Sequence, residues 1–358
     1  MSSDPLRVLV VDDVALERVA VRGLVEGFKG FAVVGEAVDG LDAARLVHEL
    51  APDLVTLDVE MPGVDGLQAL GYIMSEAPRP VVMLSGATTR GGEDLTIRAL
   101  ELGAVDFVRK PRPEDAHGWR DVGPRLEDAL RAAVGANLGL PMLAREVSRP
   151  VRPRRAPQPA DRVVAIAAST GGPRALAEVV PALRDDCGAA VLVVQHMPRG
   201  FTAGLARRLH ARSSLDVREA QDGEPLLAGH AYVAPGGRHL RLVTDDAVIR
   251  LALSDGPPMH GVCPAADPTF EAAAKAFGAR CVGVVLTGMG RDAAAGLAAI
   301  ARRGGVAVVQ DAATSVVHGM PAQARAAVPH ATELPLDAIA ARVNDALVGL
   351  GPTTLRTG

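Results

Sequence analysis

Between residues 139 and 160 prolines and arginines alternate so closely that neither helix nor strand can run through, which forces the chain to fold as two bodies. Pro141, Pro150, Pro153, Pro157 and Pro159 each remove a backbone donor and fix φ, favouring an extended, semi-rigid connector. Arg145, Arg149, Arg152, Arg154 and Arg155 suit a solvated linker, contact with an acidic partner being their other possible use. The length of 358 residues agrees, since it exceeds what one hydrophobic core commonly organises.

On both sides of that stretch, short apolar runs alternate with helix-period segments. Arg7 to Val11, Phe31 to Ala37, Asp53 to Leu57, Pro80 to Leu84 and Ala104 to Val108 read as strands before it. Arg162 to Ala167, Ala190 to Val194, Ala231 to Ala234, Cys281 to Leu286 and Val306 to Gln310 read as strands after it. Such alternation predicts α/β bodies, each a doubly wound parallel sheet with ligands at the carboxyl ends of its strands. Hydrophobic residues make up 48% but aromatics only 3%, so Val, Ala and Leu must fill the cores, as in strands covered on both faces. His239 to Leu253, with Thr244-Asp245-Asp246 as its turn, reads as a β-hairpin in the second body.

Several function classes are disfavoured. A net charge of −4 gives no field that would draw the chain to nucleic acid or to a membrane. No basic helix-turn-helix reader follows the linker. Cys187, Cys263 and Cys281 form no CxxC pair, which argues against a zinc site or disulfide framework and for a reducing compartment. The first residues lack a signal-peptide layout, and no apolar run approaches the ~20 residues of a membrane helix. The expectation is a cytoplasmic protein without direct membrane insertion.

Asp12 and Asp13 follow the first strand and Asp58 follows the third, so three carboxylates converge at one sheet edge. Oxygen ligands of this kind suit Mg²⁺, which takes one or two carboxylates and leaves an acid free for phosphorylation. Lys110, after the fifth strand, is placed to offset charge on a transferring phosphoryl group, and Ser85, after the fourth, to hydrogen-bond it. Solvated strand-end acids would explain an Asp-Asp pair alone; four strand ends with complementary chemistry argue for a site.

Val10-Val11-Asp12-Asp13, Leu57-Asp58-Val59-Glu60-Met61-Pro62-Gly63, Leu84-Ser85-Gly86-Ala87 and Lys110-Pro111 resemble the receiver domain of two-component response regulators. The resemblance covers residues 5 to 125 and implies a flavodoxin-like fold. It further implies Asp58 as phosphoacceptor, Mg²⁺ held by Asp12, Asp13, Asp58 and the Glu60 carbonyl, and Ser85 and Lys110 on the phosphoryl group. Phe107 matches an aromatic switch position and equally suits a core Phe. A cis Lys110-Pro111 bond, found in many receivers, would aim Lys110 inward.

In the second body, Ala168-Ser169-Thr170-Gly171-Gly172-Pro173 makes a tight strand-to-helix turn whose free N–H groups suit an anion. Its spacing fits neither GxGxxG nor the P-loop. His196 follows the second strand of this body, and Asp292 lies beyond Cys281 to Leu286. A serine hydroxyl becomes nucleophilic when an imidazole takes its proton, and the imidazole needs a carboxylate to fix its tautomer. His239 and His260 are rival bases, and Asp311 is a rival acid.

Ala168-Ser169-Thr170-Gly171-Gly172-Pro173, Gln195-His196-Met197-Pro198, Ala234-Pro235-Gly236, Leu286-Thr287-Gly288-Met289-Gly290 and Gly319-Met320-Pro321 resemble the catalytic domain of chemotaxis protein-glutamate methylesterases, the CheB family. The resemblance implies a Rossmann-like sheet with a Ser169, His196, Asp292 triad and an oxyanion hole from the N–H groups of Thr170 and Met289. The expected domains are a receiver at 5–125, a Pro/Arg-rich linker at 126–160 and a catalytic domain at 161–350. Two departures stand out: Pro264-Ala265-Ala266-Asp267 lacks the hydroxyl of the family's usual Pro-Ser-Val-Asp run, and His318 replaces a different residue. Neither change is expected to touch the proposed triad.

Taken together, residues and resemblance imply a phosphorylation-activated hydrolase that removes methyl esters from chemoreceptor glutamates and also deamidates receptor glutamines. The implied partners are the receptors and a CheA-type histidine kinase; the esterase itself calls for no cofactor. A methylesterase-like adaptor outside chemotaxis, or action on another ester, is the alternative.

Overall fold

Runs such as Leu9-Val10-Val11, Leu54-Val55 and Val81-Val82-Met83-Leu84 carry no charge and are wholly buried, so they form the centre of a sheet with both faces covered. The computed structural model describes residues 4–86, 92–112, 115, 118–138, 157–246 and 248–349. Ala87, His117 and the linker core at 139–156 lie outside these described residues. The chain divides into one unit up to Met142 and another from Leu143.

The first unit runs β1 (Leu6–Val11), α1 (Ala15–Gly27), β2 (Phe31–Ala37), α2 (Gly40–Leu50), β3 (Leu54–Asp58), α3 (Gly66–Glu76), β4 (Val81–Ser85), α4 (Gly92–Glu101), β5 (Asp106–Arg109) and α5 (Trp119–Val134). Its sheet has the order β2-β1-β3-β4-β5 with every pair parallel. Strand order therefore reverses between β1 and β3, the place where a doubly wound sheet opens a crevice. Asp12 and Asp58 lie there. Helix starts are fixed locally: Asp39 accepts the Asp42 N–H at 2.8 Å, and Asp65 with Gln68 forms a capping box. Helix α5 continues to Val134, past the domain end expected at 125.

The second unit runs β6 (Arg162–Ala168), α6 (Gly172–Val179), β7 (Ala189–Gln195), α7 (Phe201–Arg212), β8 (Asp216–Glu219), β9 (His230–Val233), β10 (His239–Asp245), β11 (Val248–Ser254), α8 (Ala266–Phe277), β12 (Cys281–Val285), α9 (Ala294–Arg302), β13 (Val306–Gln310), α10 (Gly319–Ala327), β14 (Thr332–Leu334) and α11 (Leu336–Gly349). Seven parallel strands take the order β14-β13-β12-β6-β7-β9-β8. Strands β6, β7 and β12 are buried at every position, and β10 pairs with β11 as the expected antiparallel hairpin. Order reverses between β6 and β12, so the loops after β6, β7 and β12 share one edge of the sheet. No helix among the described residues is long and apolar enough to cross a membrane.

Candidate active site and phosphorylation site

Strand β6 ends in Ala168, and the chain turns at once into α6 through Ser169, Thr170 and Gly171. Gly171 has φ of 75°, and a side chain there would also collide with Val316, so the turn requires glycine. The Ser169 N–H donates to the Thr287 carbonyl at 3.0 Å, tying this turn to the loop after β12. Gly288 lets that loop come closer still, since an added Cβ would lie 2.6 Å from the Ser169 Cβ. Met289 follows at the rim, nearly half exposed, and its N–H meets no acceptor among the described residues. The Ser169 hydroxyl makes no hydrogen bond among them either; such contacts often form only with substrate.

His196 follows β7, and its N–H donates to the Ala168 carbonyl at 3.1 Å. Its Nε2 lies 2.7 Å from Asp292 Oδ2, with the His196 ring 8% exposed and Asp292 2% exposed. The imidazole therefore contacts the carboxylate through Nε2, with Nδ1 on the opposite side of the ring. Asp292 also accepts the N–H groups of Ala266 at 2.6 Å, Asp267 at 3.0 Å and Ala293 at 2.9 Å. Burial pushes its pKa up, but His196 and these amides outweigh burial and hold the carboxyl below the ordinary aspartate range.

Two of those amides open α8, so the first turn of that helix presents its unpaired donors to Asp292. The Pro264-Ala265-Ala266-Asp267 run thus touches the proposed triad directly, contrary to the expectation that it stands apart. It acts through the backbone, for which a serine hydroxyl is not required. Asp267 is held in turn by the Gly296 N–H at 2.7 Å and by His260 Nε2 at 2.9 Å. The rivals are occupied elsewhere. His239 bridges the Pro257 carbonyl and the Ala265 N–H, while Asp311 accepts the N–H and hydroxyl of Thr314.

Sequence reading missed the residues that hold this scaffold. Gln195 Nε2 donates to the Ser169 carbonyl at 2.9 Å, and Gln310 Oε1 accepts the Thr287 N–H at 2.7 Å. The Thr287 hydroxyl donates to the Thr170 carbonyl at 3.0 Å. Their one signal was a buried amide ending an otherwise apolar strand, at Gln195 and Gln310.

In the first unit, Asp12, Asp13 and Asp58 offer oxygens all within 4.8 Å of one another. Asp12 Oδ2 is buried and makes no directed hydrogen bond, although Lys110 Nζ lies 2.7 Å away. Such an acceptor beside two further carboxylates fits a hard divalent cation. Lys110 Nζ is also 3.0 Å from Asp58 Oδ2 and pairs with Glu17. Burial, only partly offset by Lys110, pushes the Asp58 carboxyl up to about 6. Burial opposes the charge on Lys110, but Asp58, Asp12 and Glu17 together raise its pKa.

The Lys110 N–H donates to the Ser85 carbonyl at 2.9 Å, bringing the ends of β4 and β5 together. Ser85 Oγ accepts from Thr96 at 2.9 Å. The expected cis Lys110-Pro111 bond is not found: Cys263-Pro264 is the cis bond among the described residues. Continued strand-like pairing to Ser85 and three carboxylates turn Lys110 inward instead. Glu60 is exposed, and its N–H donates to the Asp58 carboxylate. Phe107 is buried on β5.

The family model described as CheB methylesterase matches residues 164–343, and that of the response regulator receiver domain matches 8–117. A protein-glutamate methylesterase/protein-glutamine glutaminase of Symbiobacterium thermophilum is 46% identical over 331 residues, covering 88% of this chain and 90% of that protein. The chain belongs to the CheB methylesterase family. A relative of the same name from Pyrococcus abyssi is 44% identical over 323 residues, covering 88% of this chain and 86% of its own length. The solved CheB methylesterase catalytic domain of Thermotoga maritima is 37% identical with a TM-score of 0.50, and the match spans 53% of this chain and 98% of that one. Within this CheB-family chain, the acidic cluster and the Ser169 edge fall one in each matched domain.

Proposed function

We infer that this chain is a protein-glutamate methylesterase and protein-glutamine glutaminase acting on chemoreceptors under the control of phosphorylation. The observation that carries the reading is the 2.7 Å pairing of His196 with a buried Asp292 beside the Ser169 turn. Ser169 Oγ attacks the γ-carbonyl carbon of a glutamyl methyl ester as its proton passes to His196 Nδ1. Asp292 steadies the imidazolium through Nε2. Negative charge on the carbonyl oxygen is met by the N–H groups of Thr170 and Met289, and losing one such donor commonly costs ~3 kcal/mol of transition-state stabilisation.

As the tetrahedral centre collapses, the C–O bond to the methoxy group breaks and His196 returns the proton, releasing methanol. Water then attacks the glutamyl-Ser169 ester, with His196 again taking and returning a proton, and the free glutamate side chain departs. For a glutamine side chain the leaving group is ammonia, which requires more complete protonation by His196.

In the receiver, Asp58 accepts the phosphoryl group, and Ser85 and Lys110 contact its oxygens. Asp12, Asp13, Asp58 and the Glu60 carbonyl would hold Mg²⁺, which when bound offsets charge on the phosphoryl oxygens. The phosphodonor is a histidine kinase of the CheA type, and the site of action is the cytoplasm, where receptor signalling helices are reached without membrane insertion. Residues 5–134 form the receiver, the following stretch to 160 the linker, and residues 161–350 the catalytic domain.

The test is methanol release from methylated chemoreceptor membranes, with and without a small phosphodonor and Mg²⁺. Release that rises with the phosphodonor is expected. Release indifferent to the phosphodonor contradicts the control, and no release under either condition contradicts the activity.

A further inference from the structure

The Lys110 ammonium is only 6% exposed and has three protons to donate, and three carboxylates surround it: Asp12 Oδ2 at 2.7 Å, Asp58 Oδ2 at 3.0 Å and Glu17. Asp12 and Asp58 belong to the close group of cation ligands with Asp13; Glu17 is not among them. It sits instead in the first turn of α1, about a third exposed, and pairs with Lys110.

When Asp58 is phosphorylated, its carboxylate oxygen bonds to phosphorus, and the donor's bond to phosphorus breaks with its electron pair leaving on the donor. The new group brings up to two negative charges and oxygens that need donors. Lys110 cannot serve those oxygens fully while an unneutralised Glu17 shares its ammonium.

We propose that Glu17 is a positioning residue that competes with the phosphoryl group for Lys110, holding that side chain in the unphosphorylated arrangement and weakening the phosphorylated state. The proposal rests on Asp58 being the phosphoacceptor. Glu17 thereby sets how much phosphodonor is needed to switch the chain, without touching the group transferred. An acid in the first turn of a helix also favours that helix through its dipole, a purely structural use that makes no demand on Lys110.

The two uses separate in a binding experiment with beryllofluoride, a stable phosphoryl mimic, followed by ¹⁹F NMR on the full chain at saturating Mg²⁺. Wild type should bind it, and Asp58→Asn should not. Glu17→Gln should bind it roughly 5-fold more tightly, the size of effect a partly exposed ion pair exerts, with the advantage shrinking in high salt. In the same variant, Mg²⁺ alone should bind no more tightly than in wild type, because one negative charge has been removed. A merely structural role would weaken both ligands together. Equal or weaker beryllofluoride binding by Glu17→Gln overturns the proposal while leaving Asp58 as phosphoacceptor. Absence of binding in wild type overturns the phosphoacceptor reading and the proposal with it.

Discussion

His196 presents Nε2 to Asp292, so under the proposed mechanism the Ser169 proton travels to Nδ1, and the carboxylate sets which tautomer is available for it. Replacing it by an amide would let a side-chain N–H face Nε2 and place the imidazole proton on the wrong nitrogen. Asp292→Asn should therefore lower kcat about 10³- to 10⁴-fold with little change in KM. Steady-state methanol release measures this, and a loss below about 10-fold would contradict the assigned role. At Asp58 the consequence is one of stability. Its carboxyl titrates near 6 in the fold against 3.8 ordinarily, mainly through burial. Between those values the folded chain keeps a proton that the unfolded chain has lost, so this group's contribution to stability falls as pH rises from about 4 to 6. Asp58→Asn should stabilise the metal-free receiver by ~1–3 kcal/mol at pH 7, with the gain closing toward pH 4. Urea unfolding followed by Trp119, the sole tryptophan and part of α5, reads this directly. No gain at pH 7 would mean that burial does not dominate at Asp58.

The elements convert these residues into sites by ending where they do. Strands β6 and β12 are adjacent, and the loop after β12 crosses Ser169 at Gly288, where an added methyl would meet the Ser169 Cβ and Met320 Sδ at 2.6 Å each. Gly288→Ala should cost about 10²-fold in kcat, the scale of a 1 Å misplacement, while leaving the fold intact by circular dichroism. Undiminished turnover would show that the close approach is unnecessary. The start of α8 does comparable service for Asp292 through the Ala266 and Asp267 amides. Removing the buried Asp267 side chain leaves the Gly296 N–H and His260 without their acceptor, so Asp267→Ala should destabilise the catalytic unit by ~1–3 kcal/mol and lower kcat together. Thermal unfolding and kinetics on the same sample test it, and a change in neither would contradict the link.

At this scale the sequence was legible wherever a strand was apolar and central. The strands bearing Asp12, Asp58, Ser85, Ser169 and His196 were located within a residue or two, because β-branched runs buried on both faces leave no other reading. Strands β8 and β14 escaped: Asp216-Val217-Arg218-Glu219 and Thr332-Glu333-Leu334 are short edges with charged side chains and no run to see. The hold of α8 on Asp292 was equally invisible, since backbone amides carry no residue signature. Glu17 was hidden for another reason, its partner Lys110 lying 93 positions away.

For the molecule as a whole, the two units each carry their own buried sheet and their own site, and the relative from Thermotoga maritima was solved as a catalytic domain by itself. A catalytic segment freed of residues 1–156 should hydrolyse receptor methyl esters faster than the unphosphorylated full chain, if the unphosphorylated receiver shifts the population toward an inactive form. An unchanged rate would contradict restraint by the receiver. The proposed hydrolysis depends on Ser169 being the nucleophile. The most direct measurement is methanol released from methylated chemoreceptor membranes by wild type and by Ser169→Ala, each with phosphodonor and Mg²⁺ and with matched thermal stability. Release by wild type together with a fall to background in Ser169→Ala is the predicted result; release that survives the substitution would contradict the triad.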